Sequence, residues 1–105
     1  MKKSSLFLFV CSVLLHSMSL VRYTHDKLLG ILFALVTRYE PHFTDAELVR
    51  ILEAYVVFES HRDTAAIFRI VGRLRSASFD KDEDLAVSFE TSRKLLGLLN
   101  HRIML

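Results

Sequence analysis

The sequence predicts an all-α fold: stacked antiparallel helical hairpins, about five helices in all, forming a short α-solenoid or bundle. Three observations lead there. The chain has 105 residues, 51% of them apolar, yet only three Gly and one Pro to punctuate it, too few for a small sandwich or barrel. Its apolar residues recur at three-and-four spacing, the period of an amphipathic helix. The pattern of one hairpin also returns after 38 positions, as fixed-period repeats do. The length allows one domain over 1–105 and excludes a multidomain enzyme.

Taken in order, the first element is an apolar helix over about 5–20. Lys2 and Lys3 precede the apolar run from Leu6 to Leu15, and Ser17 and Ser19 follow it. That order also fits a secretory signal peptide. The run is too short to span a bilayer, so no stable membrane anchor is expected. The absence of acids before Asp26 is compatible with a mitochondrial presequence, although Arg22 is the only arginine there. Retention as the first helix is the reading adopted. The alternative is a small secreted helical interaction protein from which about 1–19 is cleaved.

The second helix, 26–39, carries Leu28, Leu29, Ile31, Leu32, Phe33, Ala34, Leu35 and Val36; apolar almost all round, it is expected to be buried. Glu40-Pro41 ends this first hairpin, 5–39. The third helix, 45–60, has the strongest local signal. Thr44 and Glu47 are spaced as a capping box, and Phe43 and Leu48 as its hydrophobic staple. Leu48, Ile51, Leu52, Tyr55, Val56 and Phe58 supply its apolar face. After a polar turn, Asp63 or Thr64 caps a fourth helix over 64–76 bearing Ile67, Ile70, Val71 and Leu74, which completes the hairpin 44–76. Moved back by 38, Leu48, Ile51 and Leu52 fall on Val10, Val13 and Leu14. Ile67, Ile70, Val71 and Leu74 fall on Leu29, Leu32, Phe33 and Val36, without a gap. A terminal helix over 83–99 opens a partial third unit, in which Phe79, Asp80 and Glu83 mimic Phe43, Thr44 and Glu47.

The segment Phe43-Thr44-Asp45-Ala46-Glu47-Leu48-Val49-Arg50-Ile51-Leu52-Glu53-Ala54-Tyr55, with Phe58 and the polar turn ending at Asp63, resembles the helical hairpin repeats of organellar RNA-associated proteins of the FAST-kinase-like and heptatricopeptide or octotricopeptide groups. The resemblance extends over most of Leu6 to Ser76. It implies stacked α-hairpins, mitochondrial or plastid residence, and service in RNA metabolism or ribonucleoprotein assembly. His16-Ser17 departs from it at the positions of Ala54-Tyr55. The implied protein is a noncatalytic subunit of an organellar ribonucleoprotein such as a mitochondrial ribosome. Its partners are a larger protein complex and organellar RNA.

Candidate chemistry is sparse. Arg62, Arg69 and Arg73 are spaced so that a helix can carry them as one stripe of RNA phosphate contacts, though a solvated face explains the same charges. The net charge of +2 does not by itself mark a nucleic-acid binder. His61-Arg62-Asp63 spells the start of a kinase catalytic loop, but Phe68 stands where its Asn belongs and no glycine-rich phosphate loop exists. Asp63 reads better as a helix cap. The five histidines, His16, His25, His42, His61 and His101, share no metal-ligand spacing, and Cys11 reads as a buried thiol. Asp80, Asp82, Glu83 and Asp84 lack an EF-hand frame and suit a helix start. No catalytic residue, cofactor or metal ligand is assigned.

Overall fold

A computed structural model describes residues 3–77, 79 and 82–99. Among them are five α-helices and no strand: α1 (Lys3–Leu20), α2 (Asp26–Tyr39), α3 (Asp45–Val57), α4 (Thr64–Arg75) and α5 (Glu83–Leu99). Short 3-10 turns at Glu40–His42 and Glu59–His61 follow α2 and α3. The chain is all-α, as the composition requires.

Helix α3 is the centre. It packs extensively on α1 and α5 and also meets α4, while α2 leans on α1. Leu48, Val49, Ile51, Leu52, Ala54 and Tyr55 of α3 are fully buried, in a core that runs from Leu8 of α1 to Leu96 of α5. The capping box that starts α3 is formed in both directions: the Glu47 amide donates to the Thr44 hydroxyl at 3.2 Å, and the Thr44 amide donates to the Glu47 carboxylate at 2.8 Å. Phe43 and Leu48, the staple pair, are both buried.

The helix ends at Val57, earlier than the expected 60. Phe58 leaves helical geometry at φ −97°, ψ 75°, and its amide closes on the Ala54 carbonyl at 2.9 Å. Phe58 itself remains buried against Phe33.

The 38-residue spacing relates the starts of α2 and α4 and of α3 and α5. Thr64 opens α4 38 residues after Asp26 opens α2, and Glu83 opens α5 38 residues after Asp45 opens α3. The caps follow suit: Asp63 accepts from the Ala66 amide and His25 Nδ1 from the Leu28 amide, each at 3.2 Å. In the sequence Phe79 and Asp80 place the third unit at a 36-residue offset from Phe43 and Thr44. Instead Asp82 accepts from the Leu85 amide at 3.1 Å, which returns α5 to the common register. Asp80 lies outside the described residues.

One burial expectation is corrected. Helix α2 buries one face through Leu29, Leu32, Phe33 and Val36, and exposes Gly30, Ile31 and Ala34; it lies outside the core helix α3. On α1 the core side chains are Leu8, Cys11, Leu15 and Met18, whereas Val10, Val13 and Leu14, the repeat counterparts of Leu48, Ile51 and Leu52, are exposed. Repeat position sets which way a residue faces. Burial requires a neighbour on that side, and among the described residues none covers this side of α1.

Helix α1 ends with Arg22 in left-handed backbone, φ 53°. The Tyr23 amide donates to the Met18 carbonyl at 2.9 Å and the Arg22 amide to the Ser19 carbonyl at 3.3 Å, the paired bonds of a Schellman ending. That position favours glycine, so Arg22→Gly should stabilise the fold by about 0.5–1 kcal/mol in urea denaturation. In the same assay Thr44→Ala should cost about 0.5–2 kcal/mol through loss of the cap. Ile51→Ala should cost about 2–5 kcal/mol, because it adds a cavity to lost burial.

Candidate functional site

The three arginines do not form one stripe. Arg62 follows the 3-10 turn after α3 and folds back on that helix: Nε donates to the Tyr55 carbonyl at 2.9 Å and Nη2 to the Val56 carbonyl at 2.8 Å. These are terminal helix carbonyls with no amide partner within the helix, so a cation there satisfies acceptors and opposes the helix dipole. Arg62 is thus engaged as a C-terminal cap.

Arg73, on α4, reaches the turn between the two hairpins. Its Nη1 donates to the Glu40 carbonyl at 3.0 Å, and its Nη2 donates to the Phe43 carbonyl. Its charge also faces the carboxylates of Glu40, at 3.7 Å, and Asp45, at 3.4 Å. Arg69, one turn earlier, approaches the same Glu40 carboxylate at 3.9 Å. Glu40 is buried, and the two arginines flank it. Arg69 remains exposed, whereas Arg73 is half-buried. Of the proposed phosphate contacts, then, Arg69 presents its guanidinium to solvent most openly.

Glu40 is the member of this cluster that sequence reasoning missed. Its partners lie some thirty positions along the chain, and no local spacing signals such a pair. A single acid preceding Pro41 reads as turn polarity.

The remaining candidates resolve locally. Asp63 is the cap of α4, while His61 stacks on Phe33 with ring centroids 5.8 Å apart and faces Asp26 at 3.4 Å. His16 pairs with Glu53 at 2.9 Å and so links α1 to α3. Among the described residues no three His, Cys, Asp or Glu side chains converge as a metal site, and no helix is long and apolar enough to cross a membrane. His101 lies outside them. A groove of about 290 Å³ crosses α1, α3 and α5, lined by Phe9, Val13, His16, Arg50, Asp82 and Leu85 among others.

Cys11 is buried beneath α2, its thiol 3.8 Å from the Leu32 carbonyl. Burial, with the nearby Glu47 charge adding to it, pushes the thiol from its usual value near 9 up to about 11. Burial likewise raises the Tyr55 phenol, with Asp63 contributing. Tyr55 stacks on Phe33 with centroids 4.5 Å apart and belongs to the core. A thiol this protonated is a poor nucleophile at neutral pH.

No family model matches the chain, and neither the curated proteins nor the solved structures give a match.

Two outcomes follow from this geometry. Arg73→Ala should lower stability by about 1.5–3 kcal/mol, because charge-assisted bonds to buried acceptors are lost. Arg69→Ala should change it by less than about 1 kcal/mol, as expected for an exposed ion pair. Chemical denaturation of the two variants checks the contrast. As for pH, an acid whose folded value is raised stabilises the fold fully below its unfolded value and loses that contribution as pH rises through the folded one. Stability should therefore fall as pH rises from about 9 to about 11, and Cys11→Ala should flatten the decline between about 9 and 10, before tyrosine ionises in the unfolded chain. Denaturation midpoints across this range measure it.

Proposed function

We propose that this chain is a noncatalytic helical-repeat subunit of an organellar ribonucleoprotein, a mitochondrial ribosome being the concrete case, held there mainly by protein contacts. The observation that carries the reading is the common 38-residue spacing of helix starts and caps, shared by α2 with α4 and by α3 with α5. Stacked hairpins of this kind offer surfaces for docking and need no catalytic constellation. The organelle and the RNA rest on the resemblance of 43–55 to organellar RNA-associated repeats.

RNA contact is a supplement in this reading, and Arg69 is its principal residue. Arg62 and Arg73 already bind carbonyls within the chain and have fewer donors left for phosphate. Residues 1–19 stay with the fold, a view supported by the burial of Leu8, Cys11, Leu15 and Met18.

The alternative, a secreted helical interaction protein lacking about 1–19, is favoured by one feature: α1 is apolar on its outer face as well as its inner one, as signal peptides are. Mass spectrometry of the native N-terminus separates the two. A start near Leu20 would support the secreted form.

Ultraviolet crosslinking and gradient sedimentation of the tagged chain from cells test the main proposal. It predicts sedimentation with a large particle, RNA crosslinks that Arg69→Ala weakens at a temperature where circular dichroism shows the variant still folded, and an RNA contact that diminishes with added salt. A chain that stays at the top of the gradient and crosslinks to no RNA contradicts it.

A further inference from the structure

The outer face of α1 is the largest unpartnered apolar feature among the described residues. Leu6, Phe7, Phe9, Val10, Val13 and Leu14 are each between 40% and 66% exposed, and Leu20 and Val21 extend the same face. The first six expose on the order of 600 Å², the upper end of what monomeric proteins leave uncovered. The repeat shows what such a face does when covered. On α3 the counterparts of Val10, Val13 and Leu14, which are Leu48, Ile51 and Leu52, are wholly buried.

We propose that the occupant of this face is the same face of a second copy, so that two chains pair α1 to α1 about a twofold axis. The other end of the stack argues against head-to-tail addition. The α1 residues turned into the core, Leu8, Cys11, Leu15 and Met18, correspond two periods later to Asp84, Val87, Thr91 and Lys94 of α5, all exposed. Head-to-tail stacking would press Asp84 and Lys94 onto Val10 and Leu14 and desolvate both charges. Between Leu6 and Val21 α1 carries no Asp, Glu, Lys or Arg, so pairing α1 with α1 brings none of its own charges into the contact, and Arg50 and Asp82 stay at its border beside Phe9 and Val13. Such an interface is isologous and closes at two copies. Together the two faces bury on the order of 1,200 Å², the lower bound for a specific interface. The one basic residue of α1 is Lys3, at its start; between Leu6 and Val21 the helix carries no Lys or Arg beside its apolar face, unlike interfacial helices, which disfavours an anionic lipid surface as the occupant. The inference shares with the proposed function the retention of α1 and needs neither the organelle nor the RNA.

Sedimentation equilibrium of the purified full chain tests it, with circular dichroism as a control on folding. The chain should run at twice its 12.1 kDa mass at micromolar concentration. Val10→Glu and Val10→Lys should each run as monomers with unchanged helicity. Leu6→Glu, in the first exposed turn, should also weaken the dimer. A wild-type chain that is monomeric at about 100 µM overturns the proposal, as does a Val10→Glu chain that stays dimeric. Monomers that instead bind phosphatidylcholine vesicles through α1 overturn it in favour of a lipid surface.

Discussion

Helix α3 is thirteen residues long and carries six side chains with no measurable exposure, spread over well more than half of its circumference. A short helix with so wide an apolar surface is unstable in water by itself and depends on packing for its stability. The surrounding fold meets that requirement. Helix α1 covers one flank, α5 another and α4 a third, and α2 contributes Phe33 to the ring of Tyr55. Each flanking helix therefore needs one apolar stripe, and each has one. Helix α1 has a second.

Polar groups at the ends of α3 set its length and its junctions. Its start is held by the reciprocal bonds of Thr44 and Glu47, and its end by the Arg62 guanidinium on two terminal carbonyls. Arg73 joins α4 to the turn before α3, beside the buried carboxylate of Glu40. Burying a carboxylate without compensation is costly, and the flanking arginines offset that cost while fixing the second hairpin against the first. Their spacing suits a phosphate stripe, yet two of the three serve the fold. A guanidinium with several donors is as apt for carbonyl oxygens as for phosphate.

What was legible in the sequence was local. The capping box, the three-and-four register of α3 and α4 and the Asp63 cap each depend on residues within one or two turns, and each formed. The period was legible too, since it recurs without a gap. The direction of α1 was not, because Val10, Val13 and Leu14 match α3 in pattern and differ only in having no neighbour on that side among the described residues. The roles of Arg73 and Glu40 were hidden for a related reason: 33 positions separate them. His25 escaped notice as a cap because histidine is not among the usual cap residues, although its ring nitrogen accepts the Leu28 amide as an oxygen would. The third unit reads two residues out of register in the sequence, since Phe79 and Asp80 imitate a staple and a cap, whereas the cap is Asp82.

The central claim is that α3 is the buried axis of one cooperative stack to which α1 belongs as a structural helix. Native-state hydrogen exchange of the full chain, read residue by residue, tests it most directly. The account predicts that the core amides of α3 exchange only through global unfolding. The amides of α1 between Leu8 and Met18 should open at the same free energy or close to it. Exchange of those α1 amides at the rate of an unstructured peptide, while α3, α4 and α5 stay protected, would contradict it.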